Sequence, residues 1–341
     1  MEIGLDQKIH TYSGGLGVLA GDVIKSSADL KIPLVGVTLV SRKGYLKQEI
    51  KDGKQIEHSD DWTPSAVMTE IPDHVEVKIQ DRTVKVKAWM YDYQSPSGGL
   101  VSVLFLDTDV EGNAPEDREI TSFLYGGDRE YRLKQEIVLG VGGVKMLAVA
   151  GFNVGKYHMN EGHSSLLTLQ LLAENGKEID NVRDLCVFTT HTPVEAGHDK
   201  FSYELIHNML GDLVSVETLK KLAGYDQLNM TRLALNTSKY VNGVAKRHKE
   251  FSLTLFPGYN ISAITNGVHS FSWTCKCFRT LFDKYLPGWA NEPELLVRVD
   301  SVPDEEIWRA HMEAKENLIR YVREHSGVQL APDVLTLGFA R

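Results

Sequence analysis

Leu185-Cys186-Val187-Phe188-Thr189-Thr190-His191-Thr192-Pro193 reads as a compact, β-branched strand over residues 185–190 that ends in a polar loop. The loop runs on through Val194-Glu195-Ala196-Gly197-His198-Asp199. Upstream, residues 154–159 read as another strand. It ends in Asn160-Glu161-Gly162-His163 and feeds a helix over 164–174. Strand, polar turn and helix in succession are the mark of parallel βα units. Residues 34–40, Leu-Val-Gly-Val-Thr-Leu-Val, form a third apolar run, preceded by a helix expected over 19–30. The fold class expected is α/β: a Rossmann-like, doubly wound parallel sheet with helices on both faces. Three segments between 67 and 107 alternate polar and apolar residues and read as an antiparallel insertion. Long helices are expected over 131–148, 231–249 and 304–324. The last opens with the start signals Val302-Pro303-Asp304-Glu305-Glu306.

The composition narrows the functional classes. The chain has 341 residues, 42% of them hydrophobic, so its length and apolar content suit about two domains. A formal net charge of −9 argues against a duplex nucleic-acid face, which needs clustered Lys and Arg. The chain holds three cysteines, Cys186, Cys275 and Cys277, which build neither a disulfide framework nor a zinc site. They are read as inert thiols in a reducing cytoplasm. No apolar run reaches the length of a membrane span, and the first residues lack the pattern of a signal peptide.

Four stretches carry candidate chemistry. Tyr12-Ser13-Gly14-Gly15-Leu16-Gly17-Val18-Leu19-Ala20-Gly21-Asp22 is a glycine-dense loop running into a helix. Glycine lets backbone approach a ligand, and a helix start presents free N–H groups to an anion. A plain tight turn explains it equally well, and no P-loop lysine follows. In Tyr157-His158-Met159-Asn160-Glu161-Gly162-His163-Ser164, polar groups stand at a strand's carboxyl end, where such folds bind ligands. His158, Glu161 and His163 match no zinc spacing, so no metal is expected. In the 187–199 stretch, His191 can serve as a base or a sugar hydrogen-bonder. Glu195 and Asp199 offer carboxylates, whose separation decides whether a glycosidase pair exists. Ala263-Ile264-Thr265-Asn266-Gly267-Val268-His269 is, taken alone, a turn after a short strand.

In this order, YSGGLGVLAGD, NEGH, TTHTPVEAGHD and ITNGVH resemble the motifs of the glycogen, starch and maltodextrin phosphorylases, most of all the compact microbial branch. Tyr131-Arg132-Leu133-Lys134-Gln135-Glu136 and Val241-Asn242-Gly243-Val244-Ala245-Lys246 match as well. The resemblance runs over essentially the whole chain. It implies the N-terminal half of a GT-B architecture, two Rossmann-like domains across a cleft. It also implies retaining transfer of a terminal glucose from an α-1,4-glucan to inorganic phosphate, giving α-glucose 1-phosphate. The family's cofactor is pyridoxal phosphate, bound to a lysine of the C-terminal domain.

By resemblance, the backbone amides at Gly15 and Leu16, within Gly14-Gly15-Leu16-Gly17, approach sugar and phosphate. His191 bonds the glucose 6-hydroxyl while its main-chain carbonyl faces the anomeric carbon. Asn266 reaches the glucose, and Asn160, Glu161, His163 and Thr192 line the cleft. The better-known mammalian enzymes have Asp where this chain has Glu161.

The chain is expected to begin inside a first strand at Met1-Glu2-Ile3-Gly4. It is further expected to form one Rossmann-like domain over 1–334 and to start the cofactor domain at 335–341. On this reading it is an N-terminal fragment, inactive alone, without the cofactor lysine. Its partners are α-1,4-glucan or maltodextrin, phosphate and a missing C-terminal half. No nucleic acid or membrane is among them; homo-oligomerisation, allosteric control and preferred glucan length are left open. Two other classes compete. Sugar-nucleotide glucosyltransferases of the glycogen-synthase kind also open on Gly-Gly-Leu-Gly, but usually after a lysine, where this chain has Tyr12-Ser13. A stand-alone carbohydrate-binding domain would bind glucan without turnover.

Overall fold

The computed structural model describes residues 1–174, 176, 178–211 and 213–338. It divides into two compact units, Met1–Gly267 and Val268–Arg341.

The first unit opens with α1 (Gly15–Asp29) and β1 (Val35–Leu39). A hairpin follows, β2 (Lys47–Lys51) and β3 (Lys54–His58), turning through Asp52 and Gly53, both at positive φ. All ten of its strand residues are exposed. Then come β4 (Thr69–Glu70), β5 (Val75–Ile79), β6 (Arg82–Gln94) and β7 (Leu100–Asp107). They join β1 in a mixed sheet of order β1-β7-β6-β4, with β5 also paired to β6. Only β1 and β7 run parallel in it. Strand β7 is therefore the direct neighbour of β1 and no part of a peripheral insertion. Its near-continuous burial from Val103 to Asp107 is what a strand covered on both faces requires.

After α2 (Pro115–Arg118), residues 129–149 form one helical run whose middle turn is wide: α3 (Arg129–Ile137), a π turn at Val138–Gly142, and α4 (Gly143–Val149). The expected helix over 131–148 is thus interrupted. The π turn is wholly buried, and a Cβ on Gly140 would lie 2.6 Å from the Leu167 nitrogen. Glycine is what lets the backbones meet there.

The second sheet alternates as the sequence predicts. It comprises β8 (Tyr157–Asn160), α5 (Leu167–Glu174), α6 (Ile179–Leu185) and β9 (Cys186–Thr190). A short ladder, β10 (Lys200–Phe201) with β11 (Leu228–Asn229), brackets α7 (Tyr203–Leu210) and α8 (Val216–Ala223). Next follow α9 (Met230–Asn236), β12 (Tyr240–Gly243), α10 (Lys246–Leu255) and β13 (Ser262–Ala263). The sheet order is β13-β12-β9-β8, all parallel. The helix expected over 231–249 is a correction: it breaks into α9, β12 and α10. Lys239 N donates to the Arg183 and Cys186 carbonyls, and 240–243 pair with 187–190, so sheet pairing overrides helical spacing.

The architecture is mixed α/β with parallel pairing. Among the described residues it consists of two main sheets, not the single doubly wound sheet expected. One apolar cluster serves both, joining Val77, Val86, Leu104 and Leu106 to Val138, Met159, Leu166 and Phe188. Residues 1–4 form no strand; they are anchored by Gly4 N to Gly17 O and Thr38 Oγ1 to Met1 O.

The second unit holds α11 (Ser270–Trp273), α12 (Lys276–Tyr285) and α13 (Asp304–Ser326), which closes on Gly327 at φ +72. Its core gathers on Trp289, whose Nε1 donates to Asp283 Oδ1. Of the strand expected at 335–341, residues 335–338 are exposed and non-helical, with no strand pairing, and 339–341 lie outside the described residues.

Candidate active site

The carboxyl ends of β8 and β9 meet at Glu161. This residue leaves β8 with φ +73, a left-handed conformation that glutamate rarely adopts, and its nitrogen donates to Thr189 O. The turn swings its buried carboxylate under the end of β9. Oε2 accepts from His191 N at 2.8 Å, Thr192 N at 2.9 Å and Thr192 Oγ1 at 2.9 Å. Oε1 accepts from Gly162 N at 3.0 Å. The carboxylate is saturated by protein donors, so it serves as an anchor.

Around this anchor, several buried polar atoms have no partner among the described residues: Asn160 Oδ1, Thr190 Oγ1, His191 Nε2 and His248 Nε2. Register puts Asn160 opposite Thr189 and Thr190 opposite Gly243, so the first three share the carboxyl edge of the parallel sheet. Unpaired buried polar atoms cost roughly 1–3 kcal/mol each unless something hydrogen-bonds them. Below this edge the polar side chains satisfy one another: His158 Nε2 meets Thr189 Oγ1 at 2.7 Å, and Thr189 Oγ1 donates to Asn242 Oδ1 at 2.9 Å. Burial lowers the His191 pKa, Glu161 opposes the shift, and His248 and His158 add to it. The imidazole is accordingly neutral near pH 7, able to donate from one nitrogen and accept at the other.

The glycine loop connects to this corner through the first two residues. Glu2 Oε2 accepts from Ser13 N at 2.7 Å and Gly14 N at 3.1 Å, and Tyr125 OH donates to Glu2 Oε1 at 3.0 Å. Next to Glu2, the Met1 nitrogen contacts His163 Nε2, and burial holds the His163 pKa well below the ordinary value. Gly14 and Gly15 face open space, whereas a Cβ on Gly17 would strike Glu2 and one on Gly21 would strike the Gly4 carbonyl. None of the loop glycines has positive φ. Gly14 and Gly15 thus leave room for approach, and Gly17 and Gly21 permit packing. Helix α1 begins at Gly15, earlier than residue 19, with no side-chain cap and no acid in its first turn. The positive end of its dipole is offset by the Glu2 carboxylate, which accepts from Gly14 N.

Behind the corner, Arg132 joins the two polypeptide stretches. It stacks on the Tyr125 ring, donates to Asp199 Oδ2 at 3.0 Å, and brings Nε within 2.9 Å of Glu136 Oε1. The last pair is a close contact without hydrogen-bond alignment. Burial opposes the Arg132 charge, but Glu136 and Asp199 outweigh it and raise its pKa.

The structure brings Asn160, Glu161, His163, His191 and Thr192 together, and Glu2 ties Gly14 to them. Asn266 follows the edge strand β13; its nitrogen donates to Val244 O and its side chain is exposed. Glu195 forms a surface ion pair with Lys200, and Asp199 belongs to Arg132, so the two make no glycosidase pair. Sequence reasoning missed His248, Asn242, Glu2 and Tyr125. Asn242 stood in the matched stretch 241–246; His248, Glu2 and Tyr125 had no signal. Among the described residues no His, Cys, Asp or Glu group is placed to hold a metal. A groove of about 320 Å³ is lined by Glu195, His198, Tyr225 and Arg232 and holds none of the residues gathered around Glu161. Unpaired His198 Nε2 belongs to that groove, whereas Asn160 Oδ1, Thr190 Oγ1 and His191 Nε2 gather at the β8–β9 edge.

Residues 6–136 match the model of the carbohydrate phosphorylases. Along its whole length the chain is 38% identical to the maltodextrin phosphorylase of Thermococcus litoralis and covers 46% of it. It is 33% identical to the glycogen phosphorylase of Aquifex aeolicus, covering 56%, and 32% identical to that of Mycobacterium tuberculosis, covering 46%. The chain spans about half the length of these curated relatives.

Proposed function

Because the chain belongs to the carbohydrate phosphorylase family, we propose that it forms the sugar-binding wall of an α-1,4-glucan phosphorylase. Such an enzyme moves the terminal glucose of a glucan or maltodextrin to inorganic phosphate and releases α-glucose 1-phosphate. The observation that carries the reading is the set of unpaired buried polar atoms beside Glu161, at the sheet edge where α/β folds take ligands. A hydroxyl-rich substrate satisfies such atoms by donating and accepting at once. His191 Nε2 takes one sugar hydroxyl, Asn160 Oδ1 accepts from another, and the Gly15–Leu16 amides face the anionic group. The roles of His163, Thr192 and Asn266 are to shape and rim the same site. The His191 carbonyl dipole favours positive charge developing at the anomeric carbon.

The family uses pyridoxal phosphate. The roles above use only this chain's own groups. The reading includes a cytoplasmic location and a second wall from a C-terminal half. No helix among the described residues is long and apolar enough to cross a membrane.

The test is to incubate the expressed polypeptide, together with the C-terminal half that supplies the second wall, with maltodextrin and phosphate and measure α-glucose 1-phosphate. His191→Ala should lower the rate roughly 10- to 100-fold, the worth of one substrate hydrogen bond left unmade. A folded His191→Ala protein working at the wild-type rate would remove His191 from the site.

A further inference from the structure

We infer that Glu161 is a positioning residue that aims the His191 carbonyl at the substrate, and not a sugar ligand. The inference rests on the reading of the site as a glucosyl-transfer centre. A trans peptide points its C=O and N–H in opposite directions, and the chain has no cis peptide bonds. The peptide between His191 and Thr192 directs its N–H to Glu161 Oε2 at 2.9 Å. Its carbonyl, that of His191, therefore points away from Glu161. Among the described residues, no hydrogen bond to that carbonyl is formed.

The same oxygen also holds the preceding N–H and the Thr192 hydroxyl, so the peptide plane is fixed by three donors. The carboxylate oxygens have four protein donors, and the side chain is buried, which leaves it little capacity for a sugar hydroxyl. Its left-handed backbone is a local strain of the sort retained where the surrounding contacts demand it. A negative charge behind the N–H also strengthens the dipole of the peptide it holds. The effect is felt when positive charge develops opposite the carbonyl, in the transition state more than in the bound ground state.

The experiment compares phosphorolysis by wild type, Glu161→Gln, Thr192→Val and the double variant, each assayed with the C-terminal half that supplies the second wall and each checked for folding by circular dichroism. Glu161→Gln keeps the shape but sets an NH2 against N–H donors. It should lower kcat by about tenfold or more, with KM changed less than about twofold. Thr192→Val leaves both peptide bonds to the carboxylate and removes only the hydroxyl, so it serves if the glutamine variant folds poorly. It should show the same split, smaller. The double variant should lose less than the product of the two losses, since both act through one contact. A raised KM at unchanged kcat, or fully multiplicative losses, overturns the positioning role while phosphorolysis stands. Absence of release by wild type in the presence of that half overturns the functional reading itself, and this role with it.

Discussion

Glu136 is wholly buried, beside Arg132 and Asp199. Burial pushes its carboxyl well above the ordinary 4.5; Arg132 pulls against this and Asp199 adds to it. Above pH 4.5 the unfolded chain releases this proton while the folded chain keeps it. Stability should therefore fall as pH rises, by up to about 1.4 kcal/mol per pH unit within the window between the two pKa values. Glu136→Gln should abolish that part of the slope, as read from urea unfolding at successive pH values. An unchanged slope would show that Glu136 is not the buried proton carrier. His163, His191 and His198 act with the opposite sign. Burial lowers each below 6.5, so their contribution is present above 6.5 and is lost as pH falls towards the folded values. At this scale, His191 and Asn160 were legible because polar residues that end an apolar run stand out. Arg132 and Glu136 stood in a matched stretch, but their pairing with Asp199, 67 positions on from Arg132, leaves no mark in local spacing.

The π turn at Val138–Gly142 places Gly140 against the start of α5. A Cβ there lies 2.6 Å from Leu167 N and 2.9 Å from Leu166 C, so backbone must move. Alanine gains about 1 kcal/mol of helix propensity over glycine, but overpacking costs about 1–3 kcal/mol and more when backbone is the obstacle. Gly140→Ala should therefore destabilise. Gly143→Ala meets a Val37 methyl at 3.3 Å and a Leu106 methyl at 3.9 Å, both side-chain atoms, and should stay within about 1 kcal/mol of wild type. Equal urea midpoints for the two variants would remove the close approach as the reason for Gly140. The element pattern was readable where period and strand-end chemistry agreed, as in β1, β9 and α13. It failed at 231–249, where a four-residue strand hides between two helices and only its partner β9 reveals it. It failed also at β7, whose place beside β1 depends on a pairing 67 residues away in sequence.

The whole molecule divides its apolar residues unequally. The two main sheets of the first unit share one large cluster, and the second unit centres on its own around Trp289. That common core could not be read from a sequence whose alternation suggests one sheet; the resemblance of ordered motifs carried the functional reading further than periodicity carried the fold. The β2–β3 hairpin contributes to none of these clusters. A two-stranded ribbon is marginal by itself. Trypsin should therefore cut first at Lys47, Lys51 or Lys54, with the remaining fragments held together by the core. Mass spectrometry of brief digests checks this, and a first cut inside α3 or α9 would contradict it. The turn at Asp52-Gly53 has a further use: because no core residue depends on its length, it is a natural port for foreign sequence. An epitope or fluorophore-binding peptide spliced there would report on the protein without disturbing the corner that Glu161 holds.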